Sequence, residues 1–266
     1  LFTFHPHPRM VLQPQDNDLK LLNTRKEKEE LLEQAGLDHL LVMPFSRTFS
    51  RMHAPEYIRE VLVDAIRVRS VVVGYDHRFG RNREGDLKLL QNAGGAFGFS
   101  VEEIPAREVD HVKVSSTKVR EALFAGRVDL ANDLLGYPYP MTGVVVKGDQ
   151  LGRKLGYPTA NIALGDPDKL VPGNGIYVVS VELKEGRSIG MMSIGVRPTV
   201  AHASGERTIE VHVLGLDREI YGEPITVRLR HRLRNEIRFP DLDALIAAMD
   251  QDKKDTLEWS RAHPLP

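Results

Sequence analysis

Two periodicities divide this chain. Up to residue 135, short apolar runs alternate with stretches whose apolar residues recur every three or four positions, the spacing of one helix face. Leu1-Phe2-Thr3-Phe4 reads as a buried strand. Thr24 opens a helix, with Glu27 as the partner of a capping box and Gly36 past the end. His39 to Met43 is a short strand, and Pro55 begins a helix with Ile58, Val61, Leu62, Ala65 and Ile66 on one face. The β-branched run from Ser70 to Gly74 predicts a fully buried strand. A helix over Gly85 to Ala93 and a strand over Val101 to Ile104 follow. Ser115 or Ser116 caps a helix through Phe124, and Val128 to Leu135 adds another. Such alternation predicts an α/β domain with a parallel sheet covered on both faces.

The period changes at Gly136-Tyr137-Pro138-Tyr139-Pro140. Strands then follow without intervening helices: Met141 to Val146, Gly175 to Leu183, Arg187 to Ile194, Thr208 to Leu214 and Ile225 to Leu233. Turn signals such as Pro172-Gly173-Asn174-Gly175 and Glu185-Gly186 separate them. Short, evenly spaced strands predict an antiparallel β-barrel. A C-terminal helix starts over Asp241 to Met249, with Leu242, Leu245, Ile246 and Met249 as its apolar stripe. The expected domains are 1–135 and 136–266, the second burying its own core as barrel plus helix.

Composition narrows the classes. A length of 266 residues leaves room for two domains, and 41% hydrophobic with 27% charged residues is a folded, soluble composition. The absence of cysteine excludes a disulfide scaffold, a thiolate zinc site and a cysteine nucleophile, and fits a reducing cytoplasm. No run approaches the ~20 apolar residues of a membrane span. Residues 1–135 hold 19 of the 36 basic and 20 of the 37 acidic residues, so neither half is a general nucleic-acid surface. Small molecules held by a few placed groups are the expected partners, with no nucleic acid and no membrane. The chain opens on Leu1 inside a strand, which predicts a further N-terminal piece.

In the first half, Gly74-Tyr75-Asp76-His77-Arg78-Phe79-Gly80 follows a strand. Ligands of open α/β sheets sit beyond the carboxyl ends of strands, so Asp76 and Arg78 can meet one; a plain turn with solvated charges fits equally well. Ser115-Ser116-Thr117 at a helix start, flanked by Lys113 and Arg120, can hold phosphate. An ordinary N-cap explains these residues more simply. His5 and His7 stand two apart with no third ligand nearby, and read as a proline-stiffened strand exit rather than a metal pair.

The richest stretch of the second half is Gly148-Asp149-Gln150-Leu151-Gly152-Arg153-Lys154-Leu155-Gly156-Tyr157-Pro158-Thr159-Ala160-Asn161-Ile162. Glycines at four-residue spacing disfavour a helix interior, each by ~1 kcal/mol, and fit a loop whose backbone approaches a ligand. It is not a Walker A loop, since no Gly-Lys-Ser/Thr follows. Thr159 and Asn161 share one face of an extended segment, ~6.5–7 Å apart. Their neutral oxygens suit a hard cation such as Mg²⁺ that takes its other ligands from water and phosphates. The bland alternative is a glycine-rich turn with an incidental Thr and Asn. Glu210 and His212 alternate with apolar residues and share a strand face. Glu210 is a candidate general base if that face lines a barrel mouth, and a solvated carboxylate otherwise. Arg228, Arg230, Arg232 and Arg234 read as a charged strand face.

Together these motifs resemble the bacterial bifunctional riboflavin kinase/FMN adenylyltransferase family, often called FAD synthetase, over essentially the whole chain. Gly152 to Asn161 is similar to the kinase signature G-R-x-L-G-[FY]-P-T-A-N. Ser193-Ile194-Gly195-Val196-Arg197-Pro198-Thr199, Glu210-Val211-His212 and Tyr221-Gly222 also follow the kinase pattern. Thr3-Phe4-His5-Pro6-His7-Pro8, the Gly74 to Gly80 loop and Ser115-Ser116-Thr117 look like the adenylyltransferase module. The resemblance implies a nucleotidyltransferase-like (Rossmann-like) first domain and a kinase barrel, with ATP, riboflavin and FMN as substrates and Mg²⁺ as cofactor. It implies that Thr159 and Asn161 hold Mg²⁺, and that Glu210 takes the proton of the ribityl 5′-hydroxyl. Gly148, Gly152, Arg153, Gly156 and Pro158 would cover ATP in the kinase. Ser116, Thr117, Lys113 and Arg120 would hold phosphates in the adenylyltransferase, with Asp76 near the nucleotide or flavin.

Two departures stand out. The family's H-x-G-H motif, which precedes the region matched here, is not in this sequence, and His5 stands where a Glu usually precedes Pro-His-Pro. The expectation is that the chain is truncated at its N-terminus. It should therefore form FMN, and form FAD only as the intact protein. The alternatives are a kinase with an inactive first domain and a flavin- or nucleotide-binding protein without turnover.

Overall fold

The computed structural model describes residues 1–15, 19–106, 108–109, 112–148, 150–196 and 207–264. In chain order the elements begin with β1 (Phe2–His5), α1 (Pro8–Leu12), α2 (Arg25–Gln34), β2 (Leu41–Pro44) and α3 (Ala54–Glu56), which continues as a π-type helix over Tyr57–Ile66. Then come β3 (Ser70–Gly74), α4 (Leu87–Phe97), β4 (Ser100–Ile104), β5 (Glu108–Val109), β6 (Val112–Lys113), α5 (Ser116–Phe124) and α6 (Val128–Leu135). The rest are β7 (Pro140–Val146), α7 (Leu151–Lys154), β8 (Ala160–Leu164), β9 (Gly175–Leu183), β10 (Gly186–Val196), β11 (Arg207–Val213), β12 (Pro224–Arg234) and α8 (Leu242–Ala262). They fall into two compact units. One is Leu1–Leu19 with Leu32–Lys113; the other is Lys20–Leu31 with Val114–Pro266.

In the first unit β1 pairs parallel with β2, and β3 pairs parallel with β4. Their core gathers Tyr57, Ile58, Val61 and Leu62 from one helix, Leu90 from α4, and Val73, Phe79 and Phe99. Phe2, Phe4, Phe45, Phe49, Tyr57 and Phe79 extend it as an edge-to-face and tilted ladder. The expectation of a fully buried β3 is corrected: Val73 is buried and Val71 packs on the same core, but Val72 is 53% exposed. Side chains of a strand alternate between faces, and among the described residues helices cover only the face that Val71 and Val73 share. Start signals read locally hold. The α2 box closes both ways, Thr24 N donating to Glu27 Oε2 (2.9 Å) and Glu27 N to Thr24 Oγ1 (3.2 Å). His7, expected in a proline-stiffened strand exit, instead caps α1 by accepting from Arg9 N.

In the second unit six strands close a barrel in the order β10-β11-β8-β7-β12-β9. Inward positions are apolar and fully buried, among them Met141, Val145, Tyr177, Val179, Met192, Val211, Val227 and Leu229. Ser115 Oγ caps α5 through Lys118 N, and Asp241 caps α8 through Ala244 N. The four arginines of β12 are pinned rather than solvated. Arg228 pairs with Glu182 (3.2 Å), Arg230 donates to Ser180 Oγ (3.1 Å) and Arg232 donates to the Asn174 carbonyl (2.6 Å). Arg234 grips buried Asp252 of α8 through two bonds of 2.7 and 2.6 Å, locking the helix to the barrel.

This unit does not build its core from the second half alone. Lys169 Nζ lies 2.6 Å from Glu27 Oε2 with both side chains sealed from solvent (0% and 1% exposed). Glu27 also accepts from Thr142 N of β7 (2.9 Å), and Lys169 donates to the Leu22 carbonyl (2.7 Å) and sits over the Tyr139 ring (4.2 Å). Burial lowers the Lys169 pKa to about 8. A short segment from the first half of the sequence is thereby stitched into the barrel. Among the described residues no helix is long and apolar enough to cross a membrane.

Candidate active site

β8 and β11 lie side by side in antiparallel register, Asn161 opposite Glu210 and Ala160 opposite Val211. On β8 and the residue just before it, Ala160 and Ile162 are buried while Thr159 and Asn161 are half-buried; on β11, Ile209, Val211 and Val213 are buried while Glu210 and His212 are half-buried. The two polar faces therefore coincide. Thr159 Oγ1 donates to Glu210 Oε2 across 3.0 Å. The face shared by Glu210 and His212 is the one turned away from the barrel core. It is not left to solvent, because the 150–155 loop and α8 roof it.

Each of the three glycines has its own reason. A Cβ on Gly148 would stand 2.3 Å from Asn161 Nδ2, and one on Gly152 would stand 2.3 Å from the Tyr157 carbonyl oxygen. Gly156 has φ +83°, where a side chain is strained. The expectation of an open loop is corrected in one respect: residues 151–154 wind into a single helical turn, α7, that includes Gly152. Tyr157 N closes the turn on the Gly152 carbonyl (2.8 Å), a contact that a residue without Cβ permits.

Three cross-links hold the loop. Arg153 pairs with Glu219 at 2.7 Å, which raises the pKa of its guanidinium. Gln150 Nε2 donates to the Tyr221 hydroxyl (3.4 Å). His212 Nδ1 lies 2.8 Å from the Pro158 carbonyl. A carbonyl only accepts, so this nitrogen carries the proton. Burial lowers the His212 pKa, which favours the neutral ring. Tyr157 meets His212 edge to face (5.2 Å) and donates to Asp250 of α8; burial, then Asp250, pushes its pKa up to about 12.

Two cavities of about 430 Å³ each meet at Thr159. One is bounded by Val145, Ala160, Val213, Arg153, Ile220 and Tyr221. The other, more apolar, runs between β10, β11 and α8, with Ile176, Met191, Phe239, Leu245 and Met249 in its wall and Glu210 at its edge. A carboxylate and a hydroxyl where a chamber of mixed lining, with Arg153, Arg218 and Glu219 in its wall, meets a more apolar one can accept a proton from an alcohol held in one while a charged group is held in the other. Among the described residues no group of three or more His, Cys, Asp or Glu side chains could hold a metal. A cation here would lean on Thr159 and Asn161 oxygens and on its own waters and phosphates, which suits Mg²⁺.

The residues expected at the first-half site are distributed differently. Asp76 and Lys113 belong to the first unit, where Lys113 Nζ sits 4.0 Å over the Tyr75 ring. Ser116, Thr117 and Arg120 belong to the second, on the exposed first turn and the half-buried flank of α5. Arg120 Nε donates to the Lys20 carbonyl (2.8 Å). Arg78 is taken up by Asp86, the cap of α4, at 3.3 Å. Asp149 and the Arg197-Pro198-Thr199 portion of the kinase-like pattern lie outside the described residues. The sequence reading placed Tyr157 in the signature without giving it a role, and missed Glu219, Asp250 and the apolar wall from α8. The trace of the α8 wall was the stripe Leu242, Leu245, Ile246, Met249, which any surface helix carries.

The chain thus combines a small barrel carrying a glycine-roofed Thr/Asn/Glu cluster with a unit built on parallel strand pairs, and its relatives are ATP-using transferases. A riboflavin kinase family model matches residues 135–260 and a FAD synthetase family model matches residues 1–118. The bifunctional riboflavin kinase/FMN adenylyltransferase of Escherichia coli strain K12 is 40% identical over 96% of this chain and 80% of its own length. That of Pseudomonas fluorescens is 39% identical over 94% and 78%. A crystal structure described as a macrolide-efflux protein from Streptococcus pneumoniae superimposes with a TM-score of 0.88 at 33% identity, covering 97% of this chain and 83% of that one. The chain belongs to the bifunctional riboflavin kinase/FMN adenylyltransferase family. It is a transferase whose reactions use ATP, one making FMN from riboflavin and the other FAD from FMN.

Proposed function

We propose that the Thr159–Asn161–Glu210 cluster is the riboflavin kinase centre. Glu210 takes the proton of the ribityl 5′-hydroxyl as that oxygen attacks the γ-phosphorus of ATP, and the bond to the β-γ bridging oxygen breaks to release ADP. Gly148, Gly152, Arg153, Gly156 and Pro158 cover the nucleotide. The flavin ring lies against the apolar wall of α8. Thr159 and Asn161 hold Mg²⁺, which when bound offsets the negative charge of the phosphates. The observation that carries this reading is the 3.0 Å bond from Thr159 to Glu210 at the meeting of the two cavities.

For adenylyl transfer we assign phosphate-binding roles to Ser116, Thr117, Arg120 and Lys113. Asp76 is assigned to the nucleotide or flavin. Functionally, residues 1–135 serve FMN adenylyltransferase and residues 136–266 riboflavin kinase, in line with the spans of the two family matches. The near-neutral charge favours small-molecule substrates over nucleic acid or a membrane surface, and the lack of cysteine favours the cytoplasm. The test is chromatography of flavins after incubation with riboflavin, ATP and Mg²⁺. FMN should appear with the metal and vanish with excess chelator, and Asn161→Ala should need more Mg²⁺ for the same rate. FMN formation that ignores the chelator would remove the cation from this account, and an unchanged Mg²⁺ curve for Asn161→Ala would remove that residue.

A further inference from the structure

β11 uses both polar side chains of one face to grip two consecutive residues of the segment that precedes β8. Glu210 receives the Thr159 hydroxyl at 3.0 Å. Two positions on, His212 donates from Nδ1 to the Pro158 carbonyl at 2.8 Å. Proline has no N–H, so the carbonyl is the one backbone polar group that Pro158 itself offers for holding. The imidazole is itself held, since the Tyr157 ring meets it edge to face at 5.2 Å and the Tyr157 hydroxyl is anchored on Asp250 of α8. From α8 to Tyr157 to His212 to Pro158, the chain of contacts ends one residue before the hydroxyl that meets the carboxylate.

We propose that His212 is a positioning residue for phosphoryl transfer, fixing the Pro158–Thr159 corner so that the Thr159 hydroxyl and the Glu210 carboxylate stay in register. His212 acts through the Pro158 carbonyl and exchanges no proton with substrate. This rests on the reading of Glu210 as the base. Positioning matters because a reacting group displaced by ~1 Å can lose ~10² in rate while binding persists. The requirement is for a donor at the place of Nδ1, not for an imidazole. Asparagine carries an amide nitrogen at nearly that place; leucine carries a methyl of similar bulk.

The experiment compares His212→Leu, His212→Asn and Glu210→Gln in the full chain, with kcat and KM for riboflavin and ATP read from FMN formation. His212→Leu should lower kcat at least tenfold and leave KM for riboflavin within about threefold. His212→Asn should recover most of kcat. An independent readout on the unmutated protein is the ¹⁵N spectrum of His212, which should show the proton on Nδ1. Wild-type kcat in His212→Leu, an asparagine variant as slow as leucine while folded, or a proton on Nε2 would each overturn the proposal. Loss of activity in Glu210→Gln with none in His212→Leu would sink the positioning role alone. Retained activity in Glu210→Gln would sink both the base and the residue said to align it.

Discussion

Thr159 and Glu210 owe their meeting to strand register, and a single carboxylate elsewhere shows how strongly one residue's surroundings set its chemistry. Glu84 Oε1 accepts from the Ala54 N–H at 2.8 Å and from His53 Nδ1 at 3.0 Å, and so stands at the start of the helix that carries Tyr57 and Ile58. The backbone donor, then His53, holds its carboxyl below the ordinary glutamate value of 4.5. A depressed carboxylate adds stability above its unfolded pKa and loses it as the pH falls through the folded one. The wild type should therefore out-melt Glu84→Gln at pH 7, and the gap should close below about pH 4.5. Thermal melts across that range check it; a gap that stays constant with pH would mean that the carboxylate's charge is not what Ala54 and His53 recognise. At this scale the sequence was legible where chemistry is local. The Thr24–Glu27 box and the Ser115 cap need only their own neighbours. Glu84, Tyr157 and Glu219 act across 30 or more residues, and no spacing rule reaches that far.

Among the elements, the glycine loop over β8 is where steric limits become function. Gly148 is tight only against the side-chain amide of Asn161. An added methyl can push that flexible amide aside without disturbing the barrel, so Gly148→Ala should behave like a partial loss of Asn161. Removing or displacing the support of a metal ligand commonly costs 10–100-fold in metal affinity, and we expect a rise on the order of tenfold in the Mg²⁺ needed for half-maximal FMN formation. Magnesium titration of the variant, alongside a melt to show intact folding, decides; an unchanged requirement would free the loop from any role at Asn161. Helix and strand positions were readable because periodicity reports burial. β9 and α6 fall on the boundaries expected, and β11 alternates as expected. What periodicity could not report was the cover on each face. Val72 belongs to a β-branched run yet faces away from the core, and the polar side of β11 is roofed rather than solvated.

At the scale of the molecule, sequence halves and compact units differ. The chain runs from the first unit into the second at Lys20, returns at Leu32 and leaves again at Val114. The buried Glu27–Lys169 pair marks that detour. Removing one partner of a sealed ion pair strands the other charge and costs ~3–5 kcal/mol, whereas replacing both is often close to neutral. Lys169→Met should thus destabilise the barrel unit strongly, and Glu27→Gln combined with Lys169→Met should recover much of the loss. Denaturant unfolding followed by kinase activity reads the result. Equal stability of the single variant and wild type would show that residues 20–31 merely rest on the barrel. Nothing in the residue pattern marks this link, because Glu27 already has a complete role as the partner in a capping box.

The claim on which everything else depends is that Glu210 is the base of the kinase reaction. Replacing it by glutamine keeps the shape and the acceptor for Thr159 but removes the basicity, and a positioned general base contributes ~10²–10⁴-fold. The decisive measurement is single-turnover FMN formation by Glu210→Gln at saturating riboflavin and ATP, with nucleotide binding followed in parallel. The account predicts a fall in rate of about 10² or more with ATP binding nearly unchanged. A variant that makes FMN at the wild-type rate would contradict it.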